Sequence, residues 1–178
     1  MEKDIREVLV TEEKIIEIVK EIGMKITKDY EGKNLLVVGV LKGSVVFTAD
    51  LIKNIKIPCE IDFMAVSSYG SSSETSGIVR ILKDLDHSVE GKDILIVEDI
   101  VDSGVTLSYL LEYLKNRKAN SVEIVALLTK PARRKVDLDV KYCGIEVPDE
   151  FLVGYGLDFA ERYRNLPYVG ILKEEIYK

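Results

Sequence analysis

The chain has 178 residues, 47% hydrophobic and 31% charged, enough for one domain with its own core. Its 31 acidic against 25 basic side chains leave a net charge of −6, which argues against a broad nucleic-acid or anionic-membrane surface. With one histidine and two cysteines, Cys59 and Cys143, it has neither a histidine-rich metal centre nor a disulfide framework, and a Ser-His-Asp triad is disfavoured.

Met1 to Glu7 lacks the apolar core of a secretion signal, and no apolar run approaches the roughly 18 residues of a membrane span. A cytoplasmic protein with reduced thiols is therefore expected. From Thr11 a helix is predicted, with Glu12 and Glu13 in its first turn and Ile15, Ile18, Val19, Ile22 and Ile26 at helical spacing. Asn34 to Val40 reads as a strand apolar on both faces, as inside a parallel sheet. Gly43 and Ser44 break it, and a helix follows to about Asn54.

After Pro58 a strand from Glu60 to Val66 leads into Ser67 to Gly77, a polar segment with almost nothing to bury. His87 sits in another polar run, Lys83 to Ser88, as a solvated loop residue. Asp93 to Glu98 is a second two-faced strand, and Leu107, Leu110, Leu111 and Leu114 mark an amphipathic helix ending near Lys118. Val122 to Leu128 is the next strand. From Val136 to Lys178 short strands and loops are expected, with Phe151 to Val153 and Tyr168 to Leu172 as candidates. Strands alternating with helices imply right-handed crossovers and a parallel sheet.

The segment Ile94 to Leu107 carries most of the chemistry. Its strand runs into Glu98 and Asp99, then Asp102, Ser103, Gly104, Val105 and Thr106 precede the leucine-spaced helix. Free amides at a helix start, two hydroxyls and a glycine make an anion site for a phosphate monoester. Carboxylates just before it suit ribose hydroxyls or a metal ion instead. Acids and serine also favour helix starts for purely structural reasons, and a capping cluster accounts for two acids and a glycine equally well.

Taken whole, the segment resembles the diphosphate-sugar signature of the phosphoribosyltransferases: two acids, then Asp-Ser-Gly-x-Thr-Leu after a hydrophobic strand. Leu41-Lys42-Gly43-Ser44 resembles the pyrophosphate loop of the hypoxanthine-guanine members, in which the bond matching Leu41–Lys42 can be cis. Ser67 to Gly77, headed by Ser68 and Tyr69, resembles their mobile lid, which would keep water from the activated ribose. Lys130 to Arg134 and Val147 to Arg164 resemble the base-binding end.

The resemblance implies an α/β fold with a mostly parallel twisted sheet flanked by helices, the type I phosphoribosyltransferase fold. It further implies a single domain over residues 1–178, with a small base-binding hood from the termini and a lid at about 67–77. The implied activity is purine salvage: hypoxanthine or guanine plus phosphoribosyl diphosphate give IMP or GMP plus pyrophosphate, with Mg2+ as cofactor. Small-molecule substrates, no nucleic-acid or membrane partner, and a homodimer or homotetramer are implied as well.

By the same resemblance, Leu41, Lys42, Gly43 and Arg164 hold pyrophosphate. Glu98 and Asp99 hold the ribose side and, with Asp158, the metal. Residues Asp102, Ser103, Gly104, Val105 and Thr106 cradle the 5′-phosphate, with Asp102 as general base toward purine N7. Phe151 stacks on the base, Leu152 and Asp158 line it, and Lys130 meets its position 6. An ammonium only donates hydrogen bonds, so it selects a 6-oxo over a 6-amino group. Two other readings remain: the same fold serving another base, and a nucleotide-sensing, RNA-binding regulator.

Overall fold

The apolar runs become strands buried on both faces. In the computed structural model, residues 1–68 and 79–178 are described. The strands are Ile5–Val10 (β1), Leu35–Leu41 (β2), Glu60–Ser68 (β3), Val79–Lys83 (β4), Asp93–Val101 (β5), Ser121–Thr129 (β6), Tyr142–Glu146 (β7), Leu152–Val153 (β8) and Val169–Leu172 (β9). The helices are Glu12–Asp29 (α1), Val45–Asn54 (α2), Val105–Asn116 (α3) and Glu174–Tyr177 (α4).

Six strands form the main sheet in the order β4-β3-β2-β5-β6-β7. The pairs among β3, β2, β5, β6 and β7 are parallel, and only β4 runs antiparallel at one edge. Alternation along β2 and β5 divides the core. Leu35, Val37, Leu95 and Val97 pack with the apolar stripe of α1 and with Phe47 and Leu51 of α2. Leu36, Val38, Ile94 and Ile96 pack on Leu107, Leu110 and Leu114 of α3. Helices on both faces of a parallel sheet explain why these strands carry apolar residues at consecutive positions.

Local signals set the helix starts. The Thr11 hydroxyl accepts from the Lys14 amide and caps α1. Ser44, at the start of α2, turns its buried hydroxyl inward to the Val40 carbonyl, 2.8 Å away. Its amide also bonds back to the Val40 carbonyl.

Three further differences follow from pairing between distant segments. β3 continues to Ser68, because Ser67 and Ser68 pair with Arg80 and Val79 of a strand that was not expected, β4. The start of the expected lid is thus strand, while Tyr69 and the rest of that segment lie outside the described residues. β5 runs on through Glu98 and Asp99 to Val101, with Glu98 opposite Ala126 and Val101 opposite Thr129. The N-terminal strand β1, also not expected, pairs antiparallel with β9, which pairs with β8 in a separate three-stranded sheet.

Candidate active site

Parallel strands point their carboxyl ends to one side, where ligands of open α/β sheets sit. Here β2 delivers the turn Leu41 to Ser44, β5 delivers Asp102 to Gly104, and β6 delivers Lys130. Two adjoining hollows open at this end. One, about 210 Å³, is lined by residues that include Leu41, Glu98, Asp102, Ser103, Gly104 and Thr106. The other, about 410 Å³, is lined by residues that include Asp102, Lys130, Phe151, Leu152, Asp158 and Tyr177. Asp102 and Ile100 belong to both.

The smaller hollow has the makings of a phosphate cradle. Gly104 stands at the start of α3 with φ 82°, a left-handed conformation that suits glycine. Gly104 offers no side-chain cap, so the amides of Thr106 and Leu107 in the first turn remain available to an anion. The Ser103 hydroxyl accepts from the Val105 amide at 3.3 Å.

Asp102 divides its carboxylate between two tasks. Oδ2 accepts from Arg133 Nη1 at 3.3 Å, while Oδ1 is buried without a partner. A buried acceptor left unpaired costs free energy unless a ligand supplies a donor. Asp102 lines both hollows.

Glu98 and Asp99 form a pair of neighbouring acids. Burial, then repulsion from Asp99, pushes the Glu98 carboxyl well above its ordinary range, and burial pushes Asp99 up as well. Asp99 lines neither hollow. Its carboxylate is tucked against Gly43 so closely that a β-carbon there would collide with it. The same loop is met from the other side by the backbone at Gly156. The Asp99 contact requires glycine at position 43, and the close approach to the Gly43 carbonyl requires glycine at position 156.

No three carboxylate, thiol or imidazole groups converge on a metal site among the described residues. Magnesium is commonly held by one or two carboxylates together with substrate oxygens. A buried acid pair with elevated proton affinity beside an anion cradle fits that arrangement, and a dication would relieve the repulsion between them.

In the larger hollow, Lys130 is largely buried, and burial lowers its pKa. Its Nζ donates to the Glu150 carbonyl at 2.7 Å, leaving further N–H groups for a ligand. Phe151 stacks on Tyr177 at 4.8 Å and meets Phe159 edge-on at 5.5 Å. Asp158 lies here rather than beside Glu98. Its Oδ1 pairs with Arg164 at 3.0 Å. Arg164 lines neither hollow; its Nη1 donates to the Gly156 carbonyl at 2.7 Å. The Leu41–Lys42 peptide bond is cis.

Residues 7–160 match the family model described as the phosphoribosyl transferase domain. The chain belongs to the phosphoribosyltransferase family. Within it, this phosphoribosyltransferase is 58% identical to the hypoxanthine-guanine phosphoribosyltransferase of Bacillus subtilis, over 100% of the chain and 99% of that protein. The crystal structure of a hypoxanthine phosphoribosyltransferase from Staphylococcus aureus superposes with a TM-score of 0.98 at 57% identity, covering 100% of this chain and 97% of that one. The chain also matches the bifunctional protein TilS/HprT of Listeria monocytogenes, 57% identical over 99% of the chain, but it spans only 27% of that protein's length. Its fold is therefore the type I phosphoribosyltransferase fold, shared with these hypoxanthine-guanine relatives.

Sequence reasoning missed Ile100, Arg133, Glu150 and Tyr177 as lining residues. Arg133 and Glu150 fall within the two segments that resemble the base-binding end, whereas Ile100 and Tyr177 carried no local signal.

Proposed function

We propose that this chain is a purine-salvage pentosyltransferase, converting hypoxanthine or guanine and phosphoribosyl diphosphate to IMP or GMP and pyrophosphate. The observation that carries the reading is Asp102, one carboxylate shared by an anion cradle and an aromatic-walled hollow, with a buried oxygen lacking a partner.

In this reading the 5′-phosphate rests on the amides and hydroxyls from Ser103 to Thr106. The purine lies in the larger hollow against Phe151 and beside Leu152, with Lys130 donating to its 6-oxo group. The purine N9 lone pair forms the bond to the ribose anomeric carbon as the bond to pyrophosphate breaks. The proton on N7 passes to Asp102 Oδ1. Lys42, the Gly43 loop and Arg164 hold the departing diphosphate. An oxocarbenium-like transition state gains from early neutralisation of that group. Glu98 and Asp99, together with Asp158, would hold Mg2+, which when bound would supply that neutralisation.

Residues 69–77, outside the described residues, would serve as the lid. The β1-β9-β8 sheet would be the hood that closes the base hollow. Among the described residues no helix is long and apolar enough to cross a membrane, and the salvage reading implies a cytoplasmic homodimer or homotetramer.

Initial rates with phosphoribosyl diphosphate against hypoxanthine, guanine, adenine and uracil, with and without chelator, test the reading. Chelator-sensitive formation of IMP and GMP, with adenine and uracil far slower, is expected. Faster turnover of adenine or uracil would overturn the base assignment, and no turnover with any base would overturn the activity.

A further inference from the structure

Lys42 and Arg164 are joined by a single carboxylate. Glu161 Oε2 lies 2.9 Å from Lys42 Nζ, and Glu161 Oε1 lies 3.2 Å from Arg164 Nη2. The two oxygens of one side chain thus bridge the two cations, as neighbouring oxygens of a diphosphate could. Arg164 is held independently by Asp158 and by the Gly156 carbonyl, so its position does not depend on Glu161. The Lys42 ammonium, by contrast, pairs with Glu161 alone among the described residues.

The backbone aims this carboxylate. Asp158 Oδ2 accepts the Glu161 amide at 2.9 Å. Ala160, Glu161 and Tyr163 adopt φ of 50°, 61° and 78°, a left-handed region that non-glycine residues seldom enter. Such strain persists where the surroundings over-determine it, typically at ligand clamps. Both partners of the Lys42 pair remain exposed, with 67% and 64% of their side-chain surface open. Exposed ion pairs are weak and exchange readily. The contact is therefore firm enough to compete for the cations and loose enough to yield to a more highly charged anion.

We propose that Glu161 is an internal competitor of pyrophosphate. Its carboxylate occupies Lys42 and Arg164 while the cleft is empty, gives way to an arriving diphosphate, and returns as product pyrophosphate leaves. The proposal rests on the reading of this cleft as the pyrophosphate site. Its consequence is quantitative: apparent affinity for the diphosphate falls by the fraction of time the cations are free.

Calorimetric titration of magnesium pyrophosphate into the parent and Glu161→Gln proteins tests it. The variant should bind about two- to five-fold tighter, the scale of an exposed ion pair removed from competition. Its KM for phosphoribosyl diphosphate should fall by a similar factor, and by more than kcat falls. In a Lys42→Met background the gain from Glu161→Gln should shrink, because the contested cation is gone. Unchanged or weaker binding by Glu161→Gln would overturn the competitor role, and so would an equal gain in the Lys42→Met background, which mere relief of charge repulsion would give. A parent protein that bound no pyrophosphate would overturn the assignment of the cleft itself, and the competitor with it.

Discussion

The two hollows are built in opposite ways. The smaller draws most of its chemistry from one stretch of chain, Glu98 to Thr106, in which a strand, a turn and a helix start follow directly. The larger is assembled from pieces as far apart as Ile100, Lys130, Glu150 and Tyr177. A contiguous site is held by backbone geometry and tolerates distant change. A dispersed one depends on how separate elements dock, and it carries the specificity.

That contrast can be broken most severely at Lys130. Lys130→Met removes the donor proposed to discriminate position 6, so the preference for hypoxanthine over adenine should collapse by a factor on the order of 10⁴. Competing-substrate rates check it. Because burial lowers the Lys130 pKa, the ammonium is lost at a lower pH than from an ordinary lysine. The parent's use of 6-oxopurines should weaken correspondingly as pH rises into the alkaline range.

A subtler intrusion tests the backbone-held half. Gly43→Ala places a methyl group against the Asp99 carboxylate and disturbs the contact with Gly156. A displacement of about 1 Å at such a site costs roughly 10²-fold. Steady-state kinetics should show that loss in kcat/KM for phosphoribosyl diphosphate, with the discrimination between bases retained. A change in base preference instead would mean that the two hollows are not separable.

The smallest effect is on stability, with the opposite sign. The Glu98 carboxyl titrates above its ordinary value in the folded chain. A group of that kind favours folding most at pH below its unfolded pKa, and the contribution is lost as pH rises through the folded value. Without metal, Glu98 beside Asp99 is thus a liability once pH exceeds the unfolded carboxylate range. Glu98→Gln should raise the melting temperature of chelator-treated protein by about 2–4 °C, roughly the shift that 1 kcal/mol produces in a chain of this size. It should also flatten the decline in stability between acid and neutral pH while reducing activity, which thermal melts and rate assays would show together.

What was legible in the sequence follows the same division. Ile94 to Leu107 announced both its strand-turn-helix and its phosphate chemistry, because every signal lay within one window. The β2 and β5 cores were equally plain, as consecutive apolar residues between breakers. β1 and β4 were not, since their stability comes from partners far along the chain: Ile5 faces Leu172, and Val79 faces Ser68. Arg164 was tied to pyrophosphate by motif alone. Its actual partners, Asp158, Glu161 and the Gly156 carbonyl, emerge only from the folding of the loop. Gly43 read as a strand breaker, and the tertiary reason for a glycine there, the approach of Asp99, had no sequence signal.

The central claim is that one carboxylate joins the two hollows and receives the purine proton. Asp102→Asn keeps shape and hydrogen bonding but removes the proton acceptor. Its kcat with hypoxanthine, measured at saturating phosphoribosyl diphosphate alongside the affinity for that substrate, is the most direct test. The account predicts a fall of about 10²- to 10⁴-fold in kcat, with affinity changed only a few-fold. Turnover within a few-fold of the parent would contradict it.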